Sequence, residues 1–186
     1  LLLATPLLLV CVAAQAEPRL RPDTWATPVI GTELENFHRI DEGVYRSEQP
    51  ESENAENLQV LGIGEILNLR QFHSDDDQMK AAGFRLNRVA MNAGEVTEAQ
   101  IIEALRIIKD REEPVLIHCW HGSDRTGVTV AAYRIVFNGW TKAQALDEMV
   151  NGGYGYHSAI YPNLVGLVKA LDVERIRDAL GIAAIP

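Results

Sequence analysis

The sequence predicts one α/β domain: a central, mostly parallel sheet of about four to five strands, flanked by helices on both faces. Three observations carry that expectation. From Ile63 onward, short apolar runs alternate with amphipathic runs at helical spacing, the rhythm of strands joined by crossover helices. The run Pro114-Val115-Leu116-Ile117 gives way to a polar stretch before the next helical run, as a buried strand does where its carboxyl end opens into a loop. A length of 186 residues suits one sizeable core, and 47% hydrophobic against 23% charged residues is the balance of a water-soluble globule.

Taken in order, Leu1 to Ala13 is apolar, uncharged and short for a bilayer span. Ala14-Gln15-Ala16 then has the small-x-small pattern of a signal peptidase site, and polarity changes at Glu17. Residues 1–16 are therefore expected to be a secretory signal, truncated at the front because its basic segment and initiator Met are missing. A membrane anchor is the other reading of such a run, and the short length disfavours it. Cleavage after Ala16 would place the protein across the inner membrane, in the periplasm, with no stable membrane insertion. It would also leave Cys119 without a disulfide partner in the chain and exclude a zinc site of several thiolates.

Residues 17–36, with Pro18, Pro22 and Pro28, read as an extended arm that Trp25 pins; residues 37–181 form the domain proper and 182–186 a tail. Phe37 to Ile40, the turn Asp41-Glu42-Gly43 and Val44 to Arg46 read as a β-hairpin. Ser52 to Leu61 is a short helix stopped at Gly62, and Ile63 to Leu69 and Phe84 to Met91 are strands. Between them, Ser74-Asp75-Asp76-Asp77 is expected to cap a short helix, because carboxylates accept its free N–H groups. A metal reading of that run is weak, since three consecutive carboxylates on one turn diverge. Thr97 to Lys109 places Ile101, Leu105 and Ile108 on one helical face. The strand Val115 to Ile117 and the helical run Val128 to Phe137 follow. Thr141 caps a helix to Val150, residues 151–157 are irregular, and two helices close the chain over 162–171 and 173–180.

A formal charge of −9 argues against nucleic acid and anionic lipid as partners, since both need a cationic surface. Attraction for an anionic substrate must be local. The place for it is His118-Cys119-Trp120-His121-Gly122-Ser123-Asp124-Arg125-Thr126-Gly127, between a buried strand and a helix N-terminus. There the helix dipole and unpaired backbone N–H groups converge on an anion. The same field favours the thiolate of Cys119, which makes its sulfur a nucleophile. Arg125 can grip two oxygens of an oxyanion in a fork, and Gly122 suits a positive φ where the loop curls. His118, Cys119 and His121 lie too close together to surround one metal ion, so no metal is expected.

Cys119 and Arg125 with five residues between them, then Thr126 and Gly127, with His118 in front, resemble the phosphate-binding loop of the cysteine-dependent protein tyrosine phosphatase superfamily. The resemblance extends to Gly43-Val44-Tyr45-Arg46-Ser47-Glu48-Gln49-Pro50 and Ile66-Leu67-Asn68-Leu69-Arg70, and is strongest to the secreted bacterial dual-specificity branch. It implies a dual-specificity phosphatase-like fold and hydrolysis of phosphate monoesters, phosphotyrosine preferred, through a phosphocysteine intermediate without a cofactor. The substrate so implied is a phosphorylated protein, and the location suggests the exported domain of a membrane signalling protein.

Within the resemblance, Thr126 is expected to hydrogen-bond the sulfur, or to serve as a helix N-cap, and His118 to support the loop from behind. Trp120 and His121 shape the rim, while Gly122, Ser123, Asp124 and Arg125 bind substrate. One departure stands out. The stretch Met91-Asn92-Ala93-Gly94-Glu95-Val96 lacks the Asp that this type uses as general acid, and an amide at Asn92 cannot donate that proton. Asp124 and Glu95 are the two carboxylates that could replace it. Tyr154, Tyr156 and His157 either line the mouth of the site or simply pack. The rival readings are an inositol polyphosphate or pyrophosphate phosphatase and a phosphate-binding pseudophosphatase.

Overall fold

The computed structural model describes residues 20–183. The expected signal segment, residues 1–16, lies outside the described residues, as do residues 17–19 of the arm and 184–186 of the tail. One sheet holds β1 (Thr27–Pro28), β2 (His38–Asp41), β3 (Val44–Ser47), β4 (Glu65–Arg70), β5 (Arg85–Met91) and β6 (Val115–His118), in the order β1-β2-β3-β6-β4-β5. β3, β6, β4 and β5 run parallel, whereas β1 and β2 pair antiparallel at one edge. The sheet thus has six strands, more than the four to five expected. The addition is β1, whose two residues pair with Arg39 and His38. Its Pro28 offers no N–H to a ladder and is tolerated because the strand is an edge.

Alternation along the central strand sorts the two cores. Val115 and Ile117 of β6 point into one cluster, with Leu67 and Leu69 of β4, while Leu116 points into the other, with Ile66 and Tyr45. The first cluster is completed by α3 (Glu98–Lys109), α4 (Asp124–Val136), α5 (Lys142–Asn151), α6 (Asn163–Ala170) and α7 (Val173–Leu180). The second takes Leu58 from α1 (Ala55–Val60), Met79 from α2 (Asp76–Met79) and Phe37 and Leu34 from the entry to the hairpin. Burying each such side chain contributes about 1.5–3 kcal/mol. Thr97 and Thr141 both close reciprocal capping boxes, with Gln100 and Gln144, so α3 and α5 begin where a hydroxyl is supplied. Among the described residues, no helix is long and apolar enough to cross a membrane.

Two elements differ from expectation in ways that bear on the site. α4 starts at Asp124, ahead of the apolar run at Val128, so Arg125, Thr126 and Gly127 are already in its first turn. It is enclosed almost all round, and a helix buried on every side carries little polar punctuation to mark its start. Asp75 occupies the N-cap position of α2, but its carboxylate makes no cap bond. It is buried, 3% exposed, and points toward His118, the last residue of β6.

Candidate active site

Residues 119–123 curl between β6 and α4, and their carbonyls are held from outside the curl. Gln49 N–H donates to Trp120 O at 2.8 Å, Asn36 Nδ2 donates to His121 O at 2.7 Å, and the wholly buried Arg46 donates to Gly122 O. Across a trans peptide the C=O of one residue and the N–H of the next point in opposite directions. The N–H groups of His121, Gly122 and Ser123 therefore face the inside of the curl. The free N-terminal amides of α4 lie at its end. Gly122 has φ +69°, and a Cβ there would sit 2.4 Å from Ser47 O. No other residue fits. The guanidinium of Arg46 lies 3.5 Å above the Tyr154 ring, and Tyr154 O in turn accepts from Ser123 Oγ at 2.6 Å.

Beneath the curl, the ring of His118 is fully buried. Its Nδ1 is 3.0 Å from Cys119 O and its Nε2 is 2.9 Å from Asp75 Oδ2. Asp75 also accepts from Gln49 Nε2 at 2.9 Å and Asn68 Nδ2 at 3.0 Å. Burial pushes the Asp75 carboxyl up, but the hydrogen bond and charge of His118, together with the bond from Gln49, outweigh it and hold the group below the ordinary value. It is a carboxylate. The ring thus bridges the Asp75 carboxylate and the carbonyl of Cys119, and holds the start of the curl from behind.

Above the curl opens a cleft of about 310 Å³, lined by Arg70, Phe72, Asn92, Trp120, Arg125 and Tyr161 among others. Burial, then the charge of Arg125, lowers the pKa of Arg70, a sign that two guanidinium groups converge. Both remain cations, since arginine does not lose its proton in this range. An anion between them relieves that repulsion. Arg125 Nε is buried without a hydrogen-bond partner. Trp120 and Phe72, 58% and 91% exposed, give the cleft aromatic walls, and Arg70 stacks on Trp120 at 4.7 Å.

The structure thus brings Cys119, Trp120 and Arg125 together with the amides that follow Trp120. Thr126 lies in the first turn of α4 and makes no N-cap bond; its hydroxyl is buried without a partner. Asn92 lines the cleft, whereas Glu95 is exposed, accepts from Asn92 Nδ2 at 3.2 Å and does not line it. The Asp124 carboxylate, 7% exposed, accepts the His157 backbone N–H at 3.0 Å and faces His157 Nδ1 at 2.9 Å. His121 is exposed and stacks on Trp120 at 5.7 Å. Sequence reasoning missed Asp75, Gln49 and Asn68, which converge only in space. The missed role of Arg46 had one signal: an arginine inside a strand, directly after the apolar pair Val44-Tyr45.

Comparison with known proteins adds an independent line. A model of the "Tyrosine phosphatase family" matches residues 32–152. The chain is 35% identical over 149 residues to the dual specificity protein phosphatase TpbA of Pseudomonas aeruginosa, covering 78% of this chain and 66% of that protein. It spans just under two thirds of the length of that relative. The crystal structure of a cysteine-to-serine variant of the same Pseudomonas aeruginosa protein in complex with phosphotyrosine superposes with a TM-score of 0.77 at 31% identity, covering 88% of this chain and all of the other. An inositol diphosphatase of Arabidopsis thaliana is 26% identical over 155 residues, covering 78% of this chain and 74% of its own.

Proposed function

This chain belongs to the tyrosine phosphatase family, and from that premise we propose that it hydrolyses phosphate monoesters, phosphotyrosine above all, through a phosphocysteine intermediate. The observation that carries the reading is the curl itself. Three successive carbonyls are bonded outward, which turns the amides that follow them toward the inside of a loop that runs from Cys119 to Arg125. Such a cradle stabilises charge on the nonbridging oxygens as the phosphoryl group transfers. Cys119 attacks phosphorus in line, the ester oxygen leaves, and water then cleaves the S–P bond. The unpartnered hydroxyl of Thr126 is free to donate to the departing sulfur. Asp124, rather than the exposed Glu95, is the carboxylate built into the proton-transfer machinery.

The aromatic walls favour an aryl ester. The structure of the Pseudomonas relative with phosphotyrosine supports the same choice. The inositol diphosphatase relative raises the alternative of a polyphosphorylated ring. Against it, a second depression of about 550 Å³ shares Arg70 and Trp120 with the cleft and is lined by Glu33, Glu48, Glu51 and Glu53. Carboxylates at that position repel extra phosphates. The physiological substrate is read as a phosphorylated protein, such as the exported domain of a membrane signalling protein, met in the periplasm. Turnover of a phosphotyrosine peptide, lost in Cys119→Ser but with vanadate still bound, is the expected result. Faster turnover of inositol polyphosphate than of the peptide overturns the substrate, and no turnover of any monoester overturns the enzyme.

A further inference from the structure

The departing ester oxygen needs a proton, and the usual suppliers fail here. Asn92 is an amide, and Glu95 is exposed and bonded to it. Asp124 spends its two oxygens on a single residue, Oδ1 on the backbone N–H of His157 and Oδ2 on the ring nitrogen Nδ1. A carboxylate only accepts, so Nδ1 is the donor in that contact and Nε2 is the other proton-bearing position of the ring. Building on the phosphatase reading above, we infer that His157 is the proton donor to the leaving oxygen and that Asp124 is the positioning residue that fixes its ring.

The placement of His157 supports that role. Its side chain is half-exposed, 40%, and with Nδ1 against the carboxylate, Nε2 is turned to the opposite edge of the ring. The neighbours on either side belong to the cleft or its rim. The His121 ring lies 5.8 Å away and stacks on Trp120, while the carbonyl of His157 accepts from Tyr161 N–H at 2.9 Å. Trp120 and Tyr161 both line the cleft. The two backbone-mediated ties, to Asp124 and to Tyr161, hold His157 beside a residue that lines the cleft. The titratable groups facing the pair are His121 and Tyr156, and Arg125 follows Asp124 in the chain. Tyr156 is not a rival donor: burial, then the charge of Asp124, raises its pKa, and its hydroxyl already donates to Tyr161 O.

The proton balance closes over both steps. As the Cys119 sulfur forms its bond to phosphorus, the electron pair of the P–O ester bond moves to the departing oxygen, which takes the proton from Nε2 and leaves His157 neutral. In the second step Nε2 accepts a proton from the attacking water, the S–P electron pair returns to sulfur and phosphate departs. Asp124 keeps Nδ1 protonated throughout, as an orienting carboxylate does in hydrolytic triads.

The test compares para-nitrophenyl phosphate, whose leaving group departs without help, with phenyl phosphate, whose leaving group needs a proton. His157→Asn keeps an amide donor toward Asp124 and removes the acid. It is expected to lower kcat on phenyl phosphate by about a hundredfold, spare para-nitrophenyl phosphate and abolish the basic limb of the pH–rate profile. Equal losses on both substrates, or none on either, overturn the inference, with vanadate binding used to show that the cradle is intact. If Asp124→Asn abolishes the basic limb while His157→Asn keeps it, the carboxylate is the donor and the inference falls. Parent enzyme inert on both esters refutes the phosphatase reading itself, which separates the two failures.

Discussion

Replacing Asp75 by Asn isolates the buried charge beneath the cradle. The amide is nearly isosteric, and its oxygen can still accept from Gln49 and Asn68, while its NH₂ turns toward His118 Nε2. His118 keeps its contact with the Cys119 carbonyl through Nδ1 and accepts at Nε2, so no buried group loses its partner. What disappears is the carboxylate charge. A charge-assisted bond of roughly 1.5–3 kcal/mol becomes a neutral one of roughly 0.5–1.5, so the fold should lose about 1 kcal/mol, read from urea denaturation. Because every hydrogen bond beneath the curl keeps a partner, the cradle should hold its shape and vanadate binding should be retained. A folded variant that no longer binds vanadate would refute that reading. A stability loss well above 3 kcal/mol would refute the rearranged bonding.

Other expectations follow from the same geometry. The Asp75 carboxyl is held below its unfolded value, so its stabilisation is present above about pH 4 and is lost as pH falls through the folded value; acid titration of stability should be shallower in Asp75→Asn than in the parent. Gly122→Ala forces a Cβ against Ser47 O at a positive φ and should cost about 1–3 kcal/mol and abolish vanadate binding, checked by calorimetry. Trp120→Ala should raise KM for aryl phosphates several-fold while leaving that for a small alkyl phosphate unchanged. Ile117→Ala, in the central strand, should cost about 2–5 kcal/mol in thermal unfolding without moving any residue of the cradle.

Periodicity made most of the fold legible, because β4, β5, α3 and α5 each bury one face or sit between two, and their apolar spacing says so. The reactive loop was legible from the order of its residues alone. What escaped notice shares a cause. β1 is two residues long and carries a proline, so no pattern had room to repeat. α4 starts ahead of its apolar run because polar residues at the mouth of the site also form its first turn. Asp75 stood where a capping carboxylate belongs, and only the path of the chain turns it inward to His118. The tie between Asp124 and His157 joins positions separated by two helices, and local spacing carries no trace of such a meeting.

The three outward bonds that shape the cradle come from Asn36, Arg46 and Gln49, all in the first third of the chain, whereas the nucleophile lies well past its middle. The shape of the curl is therefore a long-range closure. A chain whose later helices have formed without the segment around residues 36–49 lacks the three bonds that set that shape, so loosening of the segment should cost oxyanion binding before the core melts.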